Sequence, residues 1–262
     1  MDKALHQKLF RAGHLAKGII YALLGFFAFA VLIGASSDSS GKQGAIQFIW
    51  EQPFGQILIG LLIVGLVSYA VWRWVEAYQN FQEEDGKKDS IGKPVAWIFS
   101  GLAYLALAFS ALQLLLGNGG GSGGNNTRQD VISSILDASY GQVLVIIIGV
   151  VFVGVAFYQF YKGVKEKYME NIRTQSMSSK EQSTYRTIGK MGHIARAVVF
   201  LIIAYFLILA GIESDASEVK GTAGALQFLK QNAYGLWLMG ITGLGLLAYG
   251  VFMLLKAGYG PK

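Results

Sequence analysis

The chain has 262 residues, of which 53% are hydrophobic and only 15% charged, with apolar residues gathered in blocks of about twenty, so a soluble domain is a poor fit. No cysteine is present, which excludes disulfides and thiolate metal centres. The net charge of +6 comes from basic residues confined to a few segments, a topological signal and not a nucleic-acid footprint.

A hydrocarbon core of about 30 Å takes about 20 apolar residues as helix. Six stretches qualify, at about 15–34, 54–78, 95–117, 141–163, 193–212 and 235–257. Of the 22 Lys and Arg, only Lys42, Arg128, Lys220 and Lys230 fall outside the amino terminus, the 78–94 and 163–192 segments, the carboxyl terminus and the span ends beside them. Basic residues favour the cytoplasm, so both termini are expected there.

In chain order, a basic tail (Lys3, His6, Lys8, Arg11) leads into span one, which is expected to be retained and not cleaved as a signal peptide. Gly44-Ala-Ile-Gln-Phe-Ile-Trp50 follows as a short interfacial helix, and Pro53 opens span two. Residues 79–92 form a charged loop before span three. The run Gly117 to Asn126 spells a Gly-x-Gly-x-x-Gly match, but no strand precedes it and its composition is that of a flexible linker. Residues 130–138 are a second interfacial helix. A basic loop over 163–192 separates spans four and five and is the longest cytoplasmic segment.

The chain repeats itself. Gly60, Gly65, Tyr69 and Arg73 return as Gly149, Gly154, Tyr158 and Lys162, then as Gly240, Gly245, Tyr249 and Met253. Gly13-His14-Leu-Ala-Lys17-Gly-Ile-Ile-Tyr21 is answered by Gly192-His193-Ile-Ala-Arg196-Ala-Val-Val-Phe200. The middle repeat diverges, with Trp97, Ser100, Gly101 and Tyr104 at those places. The repeats span 11–78, 90–163 and 190–257 of a single membrane domain. The expected fold is therefore all-α: six transmembrane helices as three tandem parallel hairpins around a pseudo-three-fold axis.

These motifs resemble the bacterial domain-of-unknown-function family 1206, six-span proteins built from three two-helix repeats with a Gly-x-x-Ala-Arg-Gly-x-x-Tyr opening and a Tyr-x-x-x-Arg ending. The resemblance covers nearly the whole chain and implies a multi-pass protein of the bacterial inner membrane. It carries no activity or catalytic residue.

The candidate ligand-binding residues are His14, Lys17, Tyr69, Arg73, Glu76, Tyr158, Lys162, His193, Arg196 and Tyr249. The glycines of the motif read first as helix-packing positions, Gly65, Gly154 and Gly245 equivalently. The three tyrosines read as an interfacial belt or as hydroxyls converging on the axis. Arg73 and Glu76 can pair along their helix, either snorkelled or buried. His14–Lys17 and His193–Arg196 read as headgroup anchors, as an inward basic vestibule, or as axial haem ligands on helices one and five. With three histidines and no His-Glu-x-x-His, neither a metal site nor an enzyme is expected, nor is a cofactor. The leading reading is a non-enzymatic membrane protein that binds or conducts a small anion or an anionic lipid head through a basic cytoplasmic mouth. The alternative is a structural or assembly protein docking a cytoplasmic partner through 163–192, and the third is a bis-histidine haem protein. Membrane lipids are the expected partners, nucleic acid is not.

Overall fold

The computed structural model describes residues 3–33, 46, 49–51, 54–82, 92–116, 123–171, 177–231 and 234–259. Most of the 79–92 loop and the start of the glycine-rich run lie outside the described residues, as does all but Ile46, Ile49 and Trp50 of the first interfacial helix.

Among the described residues the regular structure is helical throughout. The α-helices are α1 (Lys3–Leu32), α2 (Gly55–Gln82), α3 (Gly92–Leu115), α4 (Gly123–Leu136), α5 (Gly141–Val164), α6 (Ser179–Glu213), α7 (Thr222–Lys230) and α8 (Gly235–Tyr259). Six of them, α1, α2, α3, α5, α6 and α8, are long and apolar enough to cross a membrane. Pro94 sits in the first turn of α3, where its missing N–H removes no helical bond. The even number of crossings puts both ends of the chain at one end of the bundle, and the Lys256 ammonium lies 5.6 Å from the Phe10 ring there.

Two expectations need correction. Residues 179–192 are not loop but the first turns of α6, a helix of 35 residues and so about 52 Å long, well beyond a hydrocarbon core. A capping box starts it: Ser178 caps the Glu181 amide, and the Glu181 carboxylate returns to the Ser178 amide. Buried Tyr185 and Gly189 then dock on Tyr168 and Phe252, so tertiary packing holds the polar stretch helical. The second interfacial helix runs over Gly123–Leu136, so the last residues of the glycine-rich run form its opening turn and are not linker.

Helix neighbours follow the order α3–α2–α1–α8–α6–α5, with α1 against α8 the most extensive contact. In that contact, glycines let two backbones meet. A Cβ at Gly25 would lie 2.2 Å from the Leu247 amide nitrogen, and one at Gly250 would lie 2.4 Å from that of Ala22. Hairpins one and three close by the same device, Gly65 meeting Ala16 and Gly245 meeting Ala195. Every neighbour relation of a three-hairpin ring is present except α3 against α5, which is not among the extensive contacts of the described residues. Gly154 correspondingly has nothing within 4 Å of where its Cβ would be, so it is not the packing position its counterparts are. Two hairpins are closed and the middle one stands open. Burial agrees, since 61% of the apolar window of α8 is buried but only 17% of that of α5.

Candidate functional site

The repeated polar residues meet where α1, α2, α3, α6 and α8 come together. Steps of three and four keep His14, Lys17 and Tyr21 on one face of α1, and Tyr69, Arg73 and Glu76 on one face of α2. Tyr69 lies about 21 Å along α2 from Gly55 at 1.5 Å per residue, less than the ~30 Å of a hydrocarbon core.

Tyr69 is the hub. Its hydroxyl accepts from Lys17 Nζ at 2.9 Å and from Arg73 Nε at 2.9 Å. The Lys17 ammonium also lies 4.6, 5.2 and 5.6 Å from the ring centroids of Tyr69, Tyr104 and Tyr249. Arg196 forms the matching half, donating to the Tyr249 hydroxyl at 2.5 Å with its guanidinium 4.4 Å from that ring and 5.4 Å from Tyr21. The rings join the halves, Tyr21 to Tyr249 at 4.9 Å and Tyr69 to Tyr104 at 4.6 Å. A buried cation is costly unless something replaces its water, and here tyrosine faces and hydroxyls do so, each face worth about 2 kcal/mol when desolvated.

The proton inventory of this cluster is one-sided. A phenol hydroxyl offers two lone pairs and one hydrogen. Both lone pairs of Tyr69 are taken by cationic donors, and neither Tyr69 nor Tyr249 gives its hydrogen to an acceptor among the described residues. Among the described residues, Arg196 Nε is a buried donor without an acceptor, and His193 Nε2, bare because the imidazole hydrogen is on Nδ1, is a buried acceptor without a donor. Arg73 also bonds the Glu76 carboxylate at 3.0 Å. The cluster is thus rich in donors and poor in acceptors.

The histidines are not headgroup caps. His14 is buried, its ring stacked on Phe10 at 4.1 Å and edge-on to Trp72 at 4.8 Å, and its Nδ1 donates to the Phe10 carbonyl at 2.8 Å. His193 stacks on Tyr168 at 5.1 Å and donates through Nδ1 to Gln159 Oε1 at 2.7 Å. Each imidazole has its own aromatic surround, and α8 packs against both α1 and α6. A haem plate would have to displace these rings, so the residues do not fit bis-histidine ligation. Among the described residues no group of His, Cys, Asp and Glu is arranged to hold a metal.

Of the ten candidates, Lys17, Tyr69, Arg73, Glu76, Arg196 and Tyr249 come together, with His14 and His193 packed against the tyrosines. Tyr158 does not join them. It is 50% exposed on α5, whereas Tyr69 and Tyr249 are 0% and 2% exposed, and Lys162 lies one turn further along the same helix near His193 and Lys256. Sequence reasoning left out Tyr21 and Tyr104 as members. Their signal was their shared repeat position, four residues beyond Lys17 and Ser100.

A curated relative, the uncharacterized protein YxxB of Bacillus subtilis, is 31% identical over 251 residues, covering 95% of this chain and 89% of its own. No solved structure matches. The family profile described as Domain of Unknown Function (DUF1206) matches three times, at residues 12–80, 95–166 and 191–260, and the chain belongs to that family.

Proposed function

We propose that this multi-pass membrane protein is non-enzymatic and binds an oxyanion, phosphate or carboxylate, at the tyrosine-lined cluster of Lys17, Arg73 and Arg196. The observation that carries this reading is the donor excess: among the described residues, two phenol hydrogens and the Arg196 Nε hydrogen lack acceptors in a buried setting. Unmade hydrogen bonds in such a place cost about 1–3 kcal/mol each, and an anion would satisfy several at once. Binding fits better than conduction, because tyrosine and lysine side chains fill the junction of the helices. The orientation we propose has both termini and the projecting turns of α6 in the bacterial cytoplasm, following the basic residues.

The test is thermal unfolding of detergent-purified protein with and without inorganic phosphate or dioleoylphosphatidylglycerol. A ligand that binds only the folded state raises its stability as RT ln(1 + [L]/Kd). Wild type is expected to gain in melting temperature with at least one of the two, and a Lys17→Ala, Arg196→Ala double variant to lose that gain. Equal response in the double variant would sink the proposal. It would favour the assembly reading, which a shallow pocket of about 490 Å³ near Ser178, Glu181, Tyr185 and Tyr259 supports as a place for a cytoplasmic partner.

A further inference from the structure

We infer that the anion is the head group of a membrane phospholipid, which reaches the cluster sideways through the gap between α3 and α5 with its acyl chains lying in that gap. This rests on the oxyanion reading above and specifies its ligand.

The gap has a sequence cause. In hairpin one a Cβ on Gly13 would lie 2.5 Å from the Tyr69 Cα, and in hairpin three a Cβ on Gly192 would lie 2.7 Å from the Tyr249 Cα. Repeat two has Ala96 at this place, so the Cβ that such closeness forbids is present. One turn on, Ala16 and Ala195 fit against Gly65 and Gly245, whose Cβ positions lie 2.6 and 2.4 Å from the alanine methyls. Repeat two has Phe99 there, and a phenyl ring cannot occupy a space already too small for two methyls. Hairpin two therefore cannot close as the others do. Phe99 is 66% exposed, and Gly154 faces open space.

Residues on both sides of the opening touch the donor cluster. Tyr104, on the α3 side, packs on Tyr69 and on the Lys17 ammonium. Gln159, on the α5 side, holds His193, which is 3% exposed, edge-on to Tyr249, and one helical turn before Arg196. An entry bounded by Phe99 and Tyr158 and ending at Arg196 presents hydrocarbon outside and cationic donors inside. That order matches a phospholipid, whose phosphate is attached to chains already in the bilayer. A free anion would have to cross hydrocarbon to use the same entry.

Three proteins separate the possibilities: wild type, Arg196→Ala, and Gly154→Trp, which fills the gap at a position with no neighbour. Retention of dioleoylphosphatidylglycerol over dioleoylphosphatidylcholine is read by native mass spectrometry, and inorganic phosphate binding by thermal shift. Wild type is expected to retain the anionic lipid at least fivefold over the zwitterionic one. Arg196→Ala should lose this preference, and Gly154→Trp should lose it while keeping any response to phosphate. A phosphate response that needs Arg196, with no lipid preference in wild type, overturns the lipid inference and leaves the site standing. Lipid preference unchanged in Gly154→Trp overturns the entry route. Lack of both responses in wild type overturns the site itself. Should the tryptophan variant fail to fold, benzoylphenylalanine at Tyr158 gives a second measurement. It is expected to photolabel the anionic lipid selectively, whereas the same group at exposed Val64 labels both lipids alike; equal labelling at both positions overturns the inference.

Discussion

Substituting Gly25 by alanine tests whether backbone contact between α1 and α8 holds the bundle together. The new Cβ would meet the Leu247 amide nitrogen at 2.2 Å, the Gly243 carbonyl oxygen at 2.5 Å and the Leu247 Cα at 2.7 Å. All three are backbone atoms, so no rotamer relieves the clash, and the helices must part by about 1.2 Å to restore ordinary contact. A gap of about 1 Å forfeits a quarter to a half of each contact along the seam. The expected cost is at the upper end of overpacking, about 3 kcal/mol. Alanine also improves on glycine in a helix by about 1 kcal/mol, which works in the opposite direction. The matched controls are Gly60→Ala and Gly154→Ala, which gain the same propensity and have nothing within 4 Å. The two classes should differ by about 3 kcal/mol, or roughly 6–12 °C in melting temperature at 2–4 °C per kcal/mol. Tryptophan fluorescence during thermal unfolding in dodecyl maltoside reads this out, preferably with Gly250→Ala alongside. If Gly25→Ala melts with the controls, the α1–α8 seam is not a tight backbone contact.

Three further outcomes are expected outside the membrane layer. Tyr168 donates to the Arg186 carbonyl at 2.5 Å, and burial, with Glu166 close by, pushes its phenol up to about 12. An acid whose folded pKa exceeds its unfolded value of about 10 binds its proton more tightly when folded, so stability falls as pH rises from about 10 to 12. Tyr168→Phe should cost about 1 kcal/mol at neutral pH and flatten that alkaline loss, as judged by melting curves of both proteins; an unchanged alkaline slope would count against it. Ser178→Ala should cost about 1 kcal/mol and raise amide hydrogen exchange over residues 179–184 selectively. Because the chain lacks cysteine, single Ser179→Cys and Ser139→Cys variants report orientation, and an impermeant maleimide on intact cells should label only the second.

The six spans and the repeat were legible because long apolar runs and recurrent spacings survive without any tertiary information. The packing roles of Gly65 and Gly245 were equally legible, since small residues are what let helices meet in lipid. The same reasoning misassigned Gly154, because it weighed one side of a two-sided contact. The opposing residues, Phe99 against Ala16 and Ala195, carried the contrary signal. The outward run of α6 was hidden by its polar composition, although Ser178-x-x-Glu181 spelled its start. At the cluster, residue type pointed to Lys17, Arg73 and Arg196, whereas convergence on two phenol oxygens depends on how four helices cross, which spacing alone does not encode.

The changes in repeat two are physically linked and do not look like general drift. Its α3 keeps Tyr104, which holds its place against Tyr69 and Lys17, so the face toward the cluster is preserved. What changes is the face toward α5, through Ala96 and Phe99, and the basic position, where Ser100 stands for Lys17 and Arg196. A lysine at Ser100 would add a fourth cation beside Lys17, Arg73 and Arg196, and like charges about 6 Å apart repel by about 3 kcal/mol per pair at an effective dielectric of 20. Two closed hairpins therefore bring in the fixed charges, and the third omits its charge and stays open, as the proposed entry requires. A strictly three-fold version of this bundle, with a lysine at Ser100 and glycine and alanine at Ala96 and Phe99, would crowd a fourth cation beside Lys17, Arg73 and Arg196 and, on the reading proposed above, close the anion's route to them.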